Sequence, residues 1–175
     1  MRLFNCLIIS NSASDRAGGI YAAAAALVSL NNCTLAGNSP HGLYGVADSS
    51  VYATNSILWD NGIDATGAIT LAYCDIGVAG AAVTTNNCIS TDPLFVDQTY
   101  CHLQSRRGNY VGGYFSGGTW GASLSNSTCI DAGDTNSPYT LEPYYNGRRV
   151  NLGAYGNTPV ASMSSGATGA ILAIR

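Results

Sequence analysis

At 175 residues the chain is long enough to bury the core of one ordinary domain. Charged residues make up 10% of it, the net charge is −3, and all 7 basic residues are Arg, which excludes field-driven binding to nucleic acid or anionic membranes and any lysine-based chemistry. Abundant Gly, Ser, Thr, Asn and Ala with 11 Tyr suit short strands and turns better than helices.

The chain opens on "FNCLIISNS" at Phe4, and the phrase returns as "NNCTLAGNS" at Asn31, "TNSILWDNG" at Thr54 and, more weakly, "AYCDIGVAG" at Ala72. The aligned column is Cys6, Cys33, Ser56 and Cys74, at spacings of 27, 23 and 18 residues. Two places on stand Ile8, Leu35, Leu58 and Ile76. Five places before it stand Met1, Val28, Val51 and Ile69, and three before it Leu3, Leu30, Ala53 and Leu71.

Such alternation has period two and predicts strands. A unit of this length holding two or three short strands predicts a solenoid of stacked parallel strands, against an antiparallel sandwich with chance similarity. The insertions "SASDRAG" (12–18) and "SPHG" (39–42) fall at one place in the unit and are expected as loops on one side. Asn5, Asn32 and Asn55, and likewise Asn11, Asn38 and Asn61, are expected to stack as amide ladders. The Cys column reads as small inward residues. A catalytic cysteine needs a partner histidine, and His41 and His102 form no evident triad. "AAAAALV" is too short to span a bilayer.

Of the acids in this half, Asp15, Asp48, Asp60, Asp64 and Asp75, only Asp60 and Asp75 lie in or beside the aligned strands. Their columns differ, so no catalytic face is expected. Trp59, one place beyond Leu58, is expected to point outward as a contact for a partner.

After residue 90 the text changes to "TDPLFVDQTYCHLQS", a Gly-rich aromatic stretch, and "STCIDAGDTNSPYTLEPYYNGRRVNLGAYG". The run of "DPLF", "HLQS", "CIDAGD" and "EP…NGRR.NLGAYG" after N-C-x-I repeats resembles bacterial secreted right-handed parallel β-helix proteins of pectate-lyase-like fold. The resemblance covers nearly the whole chain and implies C-terminal coils followed by a capping segment. The implied fold is all-β: a right-handed parallel β-helix with an irregular C-terminal cap and a terminal tail strand. Residues 1–90 read as coils, 91–161 as final coil and cap, and 162–175 as linker and tail strand.

Within the cap, Leu94, Phe95, Val96, Leu103, Ile130, Leu152 and Tyr155 are the candidate apolar residues. Six cysteines without close Cys-x-x-Cys spacing argue against zinc. Neighbouring strands favour a Cys101–Cys129 disulfide, with Cys74–Cys88 second. Asp131, Asp134, Glu142, Arg148 and Arg149 are read as ion pairs that pin the cap, with calcium at Asp131 and Asp134 as the competing reading. Tyr110, Tyr114, Trp120 and Tyr144 are candidate contacts for carbohydrate or a protein partner; alternatively the aromatic rings fold back over the solenoid's open end.

Met1-Arg2 runs straight into "LFNCLIIS" without a usual cleavage site, so the expected reading is a chain with its leader removed or a piece of something larger. Leu3 and Ile8 already occupy core columns, and a tail strand with Ile171, Leu172 and Ile174 is expected to extend a neighbouring copy head to tail. The expected function is a non-catalytic extracellular or cell-surface structural or adhesive module, with no cofactor; a polysaccharide-binding or polysaccharide-cleaving domain is the alternative. Expected partners are itself, the rest of a larger surface protein, or polysaccharide, without nucleic acid or a membrane span.

Overall fold

The computed structural model describes residues 1–164, so Ile171, Leu172 and Ile174 lie outside the described residues. In chain order the strands come in repeated passes. The first pass is β1 (Arg2–Phe4), β2 (Leu7–Ile9) and β3 (Ser12–Ala22). The second is β4 (Leu27–Asn31), β5 (Thr34–Ala36) and β6 (Ser39–Gly45), and the third β7 (Ser50–Thr54), β8 (Ile57–Trp59) and β9 (Ile63–Gly67). Then follow β10 (Ile69–Ala72) with β11 (Asp75–Ile76), and β12 (Val83–Asn86).

First strands pair in the order β1-β4-β7-β10-β12, second strands as β11-β8-β5-β2, and third strands as β3-β6-β9. Every pairing in these three sheets is parallel, which removes the antiparallel sandwich. The structure is all-β, with no helix among the described residues.

The repeat columns survive as register. Leu3 pairs with Leu30, Leu30 with Ala53 and Ala53 with Leu71. Ile8 pairs with Leu35, and Leu35 with Leu58. Leu30, Leu35, Leu58, Leu71, Cys33 and Cys74 are buried together in a core enclosed by the three sheets. A fifth pass also exists: Val83 pairs with Ile69, and a single bridge joins Asp75 to Ile89, which places Cys88 after Cys74 in the column.

Two expectations about the periphery are corrected. The insertions at 12–18 and 39–42 are strand, not loop: both belong to the third sheet, where Ser12 pairs with Ser39 and Ala17 with His41. The extra residues of β3 are taken up by register shifts between Ser12, Ala17 and Ile20, as a bulged strand takes them. Small residues permit the approach; a Cβ on Gly19 would meet the Gly42 carbonyl oxygen at 2.1 Å.

The segment after residue 90 runs along a flank instead of closing the end, while Thr84, Thr85 and Asn86 of β12 stay exposed. The sequence of the second sheet explains this placement. In "LII", "TLA" and "ILW" the middle residue faces the inner core, and the flanking residues other than Thr34 form a second apolar surface on the outer side. Ala36 and Ile57, with Leu7, Ile9 and Trp59 packed alongside, meet Phe95, Cys101, Leu103, Cys129 and Leu152 there. A strand apolar on both faces is a strand buried on both faces. An antiparallel hairpin, β13 (Asn109–Val111) with β14 (Thr119–Gly121), completes the segment.

Candidate functional site

The polar columns are the first place to look for chemistry, and one of them is a ladder. Asn11 Nδ2 donates to Asn38 Oδ1 at 3.0 Å, and Asn38 Nδ2 to Asn61 Oδ1 at 2.9 Å. Asn61 Nδ2 then donates to Asp64 Oδ1 at 2.7 Å. Asp64 terminates the row, and its Oδ2 accepts the Val78 N–H at 2.6 Å. Burial raises the Asp64 carboxyl above its usual range, against these two N–H donors and a third from the Asn61 backbone.

The other Asn column is not a ladder. Asn5, Asn32 and Asn55 occupy the corner between the first two sheets with φ of 49, 48 and 51°, a left-handed turn that Asn tolerates. Their side chains leave the corner sideways. Asn5 Nδ2 donates to the Ala154 and Gly156 carbonyls, both at 2.8 Å, and Asn32 Nδ2 to the Asn151 carbonyl at 3.0 Å. Asn55 Nδ2 donates to Ser137 Oγ at 2.8 Å while its Oδ1 accepts the Asp134 N–H at 2.7 Å. This column fastens the C-terminal segment to the flank.

All six cysteines are free thiols, so neither expected disulfide is present. Cys129 donates to Asp75 Oδ2 at 3.0 Å, and Cys101 lies against the Gln98 carbonyl. Burial pushes the Cys33 thiol up to about 11 and Cys101 to about 12, and raises Cys74 and Cys129 strongly; none of these four is poised as a nucleophile. Cys88 differs: half-buried, it accepts the Cys74 N–H at 3.4 Å, and its hydrogen bonds with Cys74 lower its thiol. Both histidines are occupied structurally. His102 is buried, stacks on Tyr155 at 3.7 Å, and its Nε2 lies 2.8 Å from the Gly113 carbonyl; burial lowers its pKa.

The expected ion pairs of the cap do not form: none of Asp131, Asp134 and Glu142 pairs with Arg148 or Arg149. Arg149 instead donates to the Gly133 and Ala132 carbonyls, and Asp134 Oδ1 accepts the Asn136 N–H at 3.0 Å. Backbone groups of the irregular loops take these side chains, and the part-buried Gly133 and Ala132 carbonyls gain a partner in Arg149. Among the described residues no three acidic, His or Cys side chains gather around Asp131 and Asp134.

Among the aromatics, Tyr110 and Trp59 are corrected. Tyr110 is buried against Tyr155 and Val160, and Trp59 is half-buried under the C-terminal segment. Tyr114, Trp120 and Tyr144 are exposed, Tyr144 at 90%. Leu3 and Ile8 do face the core at the edge of the first pass, half-buried.

One concavity was not legible in the sequence. It has a volume of about 800 Å³ and is walled by Tyr139, Tyr144, Tyr145, Asn146, Gly147 and Arg148, with Glu142 and Ser164 inside. Glu142 is 5% exposed; burial raises its carboxyl to about 7 even though Oε1 accepts two backbone N–H groups. The chain matches no family model, no curated protein and no solved structure.

Proposed function

We propose that the chain is a right-handed parallel β-helix of an exported or cell-surface protein, serving as a non-catalytic structural or adhesive element that contacts carbohydrate. One observation supports it above the rest. The polar side chains that the repeat supplies are engaged inside the architecture: Asn11, Asn38 and Asn61 in the ladder that ends on Asp64, and Asn5, Asn32 and Asn55 on the C-terminal segment. The outward surface is then left to Ser, Thr and Tyr on rigid strands, with Tyr114, Trp120 and Tyr144 as exposed rings that stack on sugar faces.

The test is incubation with a panel of acidic and neutral polysaccharides, soluble and immobilised. The expected result is retention on at least one immobilised polymer, weakened by Trp120→Ala or Tyr144→Ala, with no new reducing ends and no unsaturated products. Catalytic release of either product overturns the reading in favour of a lyase or hydrolase.

A second reading, self-association, is favoured by the edge of the first sheet, where β1 has one neighbour and Met1, Phe4 and Leu27 are each about 60% exposed around a shallow pocket. Light scattering that finds a concentration-dependent mass, reduced by Phe4→Glu, supports it; a constant monomer mass removes it.

A further inference from the structure

The fifth pass adds to the repeat column a cysteine that the aligned phrases leave out. Tyr73 N–H donates to the Asn86 carbonyl and Ile89 N–H to the Cys74 carbonyl, both at 2.9 Å, so Cys74 and Cys88 stand opposite each other on adjacent parallel passes. Such neighbours lie about 4.7–4.9 Å apart, inside the roughly 4.4–6.8 Å of Cα separation that a disulfide spans. The chain enters both cysteines through the same left-handed turn, Tyr73 at φ 50° and Asn87 at φ 51°. Their side chains then leave in the same direction: Cys74 Sγ lies 3.4 Å from the Ala72 carbonyl and Cys88 Sγ 3.5 Å from that of Asn86, each two residues back. Cys88 Sγ also accepts the Cys74 N–H at 3.4 Å, and the two thiols hydrogen-bond each other.

The next rung on the other side of Cys74 carries Ser56. Its Oγ accepts the Cys33 N–H at 3.1 Å and donates to the Thr54 carbonyl at 2.8 Å, the two contacts that Cys88 makes with sulfur. Ser56 separates Cys74 from Cys33, and Cys101 and Cys129 belong to the outer layer, so Cys88 is the thiol that faces Cys74.

We propose that Cys74 and Cys88 are a dithiol site for small disulfides, and that exchange there closes a Cys74–Cys88 bond which staples the fifth pass onto the fourth. Both are free thiols in the resting chain. The half-buried Cys88 is the entry point: its thiolate attacks one sulfur of RSSR and expels RS⁻, leaving a mixed disulfide. Cys74 then gives up its proton, attacks Cys88 Sγ and expels the second RS⁻. The two protein protons convert both leaving groups to RSH, so the protein loses two electrons and RSSR gains them. Hydrogen bonding with Cys74 lowers the Cys88 thiol and favours the first step, whereas burial raises Cys74, so closure is the slower step and quickens as pH rises. The pass so held is weakly secured: β12 has one strand neighbour, Thr84, Thr85 and Asn86 are exposed, and the second sheet continues into it by a single bridge. The exported setting proposed above supplies an oxidising compartment, although closure itself does not rest on that reading.

The test is to treat the reduced native chain with glutathione disulfide, alkylate it in denaturant and cleave it with chymotrypsin. The peptide from Cys74 to Phe95 holds these two cysteines and no other. It is expected to come out unalkylated and two hydrogens lighter, and the oxidised chain to melt roughly 5–10 °C higher than the reduced one. Cys74→Ser is expected to stop at a stable glutathione adduct on Cys88, and Cys88→Ser to give neither product in this peptide, because Cys74 is buried. Ser56 shows that the column accepts serine with both contacts made, so both variants are expected to fold. A wild-type peptide alkylated at both cysteines after oxidation overturns the proposal, as does a mixed disulfide on Cys88 that Cys74 never displaces. A closed disulfide that leaves the midpoint unchanged overturns the staple. Mass reads this site and retention on polysaccharide reads the proposed function, so either can fail without the other.

Discussion

Cys129 donates its thiol hydrogen to Asp75 Oδ2 at 3.0 Å between two side chains that are each 0% exposed, joining the C-terminal segment to β11. Asp75 Oδ1 accepts the Thr91 N–H at 3.1 Å, and burial still raises the carboxyl to about 6. The folded state therefore keeps a proton on Asp75 at pH values where the unfolded chain, near 3.8, has lost it.

A pH dependence follows. Between about pH 4 and pH 6 the folded state holds this extra proton, so the Asp75 contribution to stability falls as pH rises through the window and levels off above it, while Glu142, raised to about 7, carries the fall further. Asp64, also raised, adds in the same direction. Asp75→Asn is expected to flatten the curve by up to about 3 kcal/mol. Urea unfolding at pH 4, 5, 6 and 7 reads it; an unchanged slope in the variant refutes the assignment.

Asn38 is the centre of the ladder, 1% exposed, accepting from Asn11 and donating to Asn61 and to the Ile8 carbonyl at 2.8 Å. Asn38→Ala strands several of these partners and should destabilise by about 2–4 kcal/mol. Asn61→Asp, which places an acceptor beside Asp64, should be worse at pH 7 than at pH 4. Denaturant midpoints at both pH values decide; equal losses would mean that the Asn61–Asp64 contact is unimportant.

Asn55 carries two separable roles, the left-handed corner and the dock to Ser137 and Asp134. Asn55→Gly keeps the first and removes the second, whereas Asn55→Ala removes both. Both variants should expose the C-terminal segment to limited proteolysis, with Asn55→Ala costing about 1 kcal/mol more. Protease resistance equal to wild type in Asn55→Gly would show that the dock is redundant.

Thiol labelling of the native protein should reach the half-buried Cys6 and Cys88, and Cys88 the faster, because its hydrogen bonds with Cys74 lower its thiol. Cys33, Cys74, Cys101 and Cys129 should react only on unfolding. Reductant should leave the intact mass unchanged; a gain of two hydrogens would restore a disulfide.

The columns of the repeat were legible because parallel strands place equivalent residues in register, so Leu30, Ala53 and Leu71 align in space as they do in text. The fifth pass was not legible because its strand carries Thr85 in the column where the other passes place Leu3, Leu30, Ala53 and Leu71. The two Asn columns look identical as letters, yet Asn38 points along the stack and Asn32 sideways; a left-handed φ at Asn32 makes the difference. Trp59 does point away from the inner core, as its place beside Leu58 requires, but the segment that covers it is set by contacts more than 100 residues apart, such as Asn32 with Asn151. Glu142 and Asp131 meet through Asn151 in irregular structure, where no period exists to read.

The passes shrink along the chain: third-sheet strands have 11, 7 and 5 residues and then give way to a single bridge between Ala65 and Ala79. Ring closure is easier for a short loop, with about 0.6 kcal/mol of chain entropy for each doubling in length. Folding is therefore expected to nucleate where β10 and β12 pair and to grow back toward β1, opposite to the direction of synthesis. The strands made first would wait on the ribosome for a seed made later. Pulsed hydrogen exchange should protect Ile69–Ala72 before Arg2–Phe4; the reverse order would mean that the wide end folds on its own.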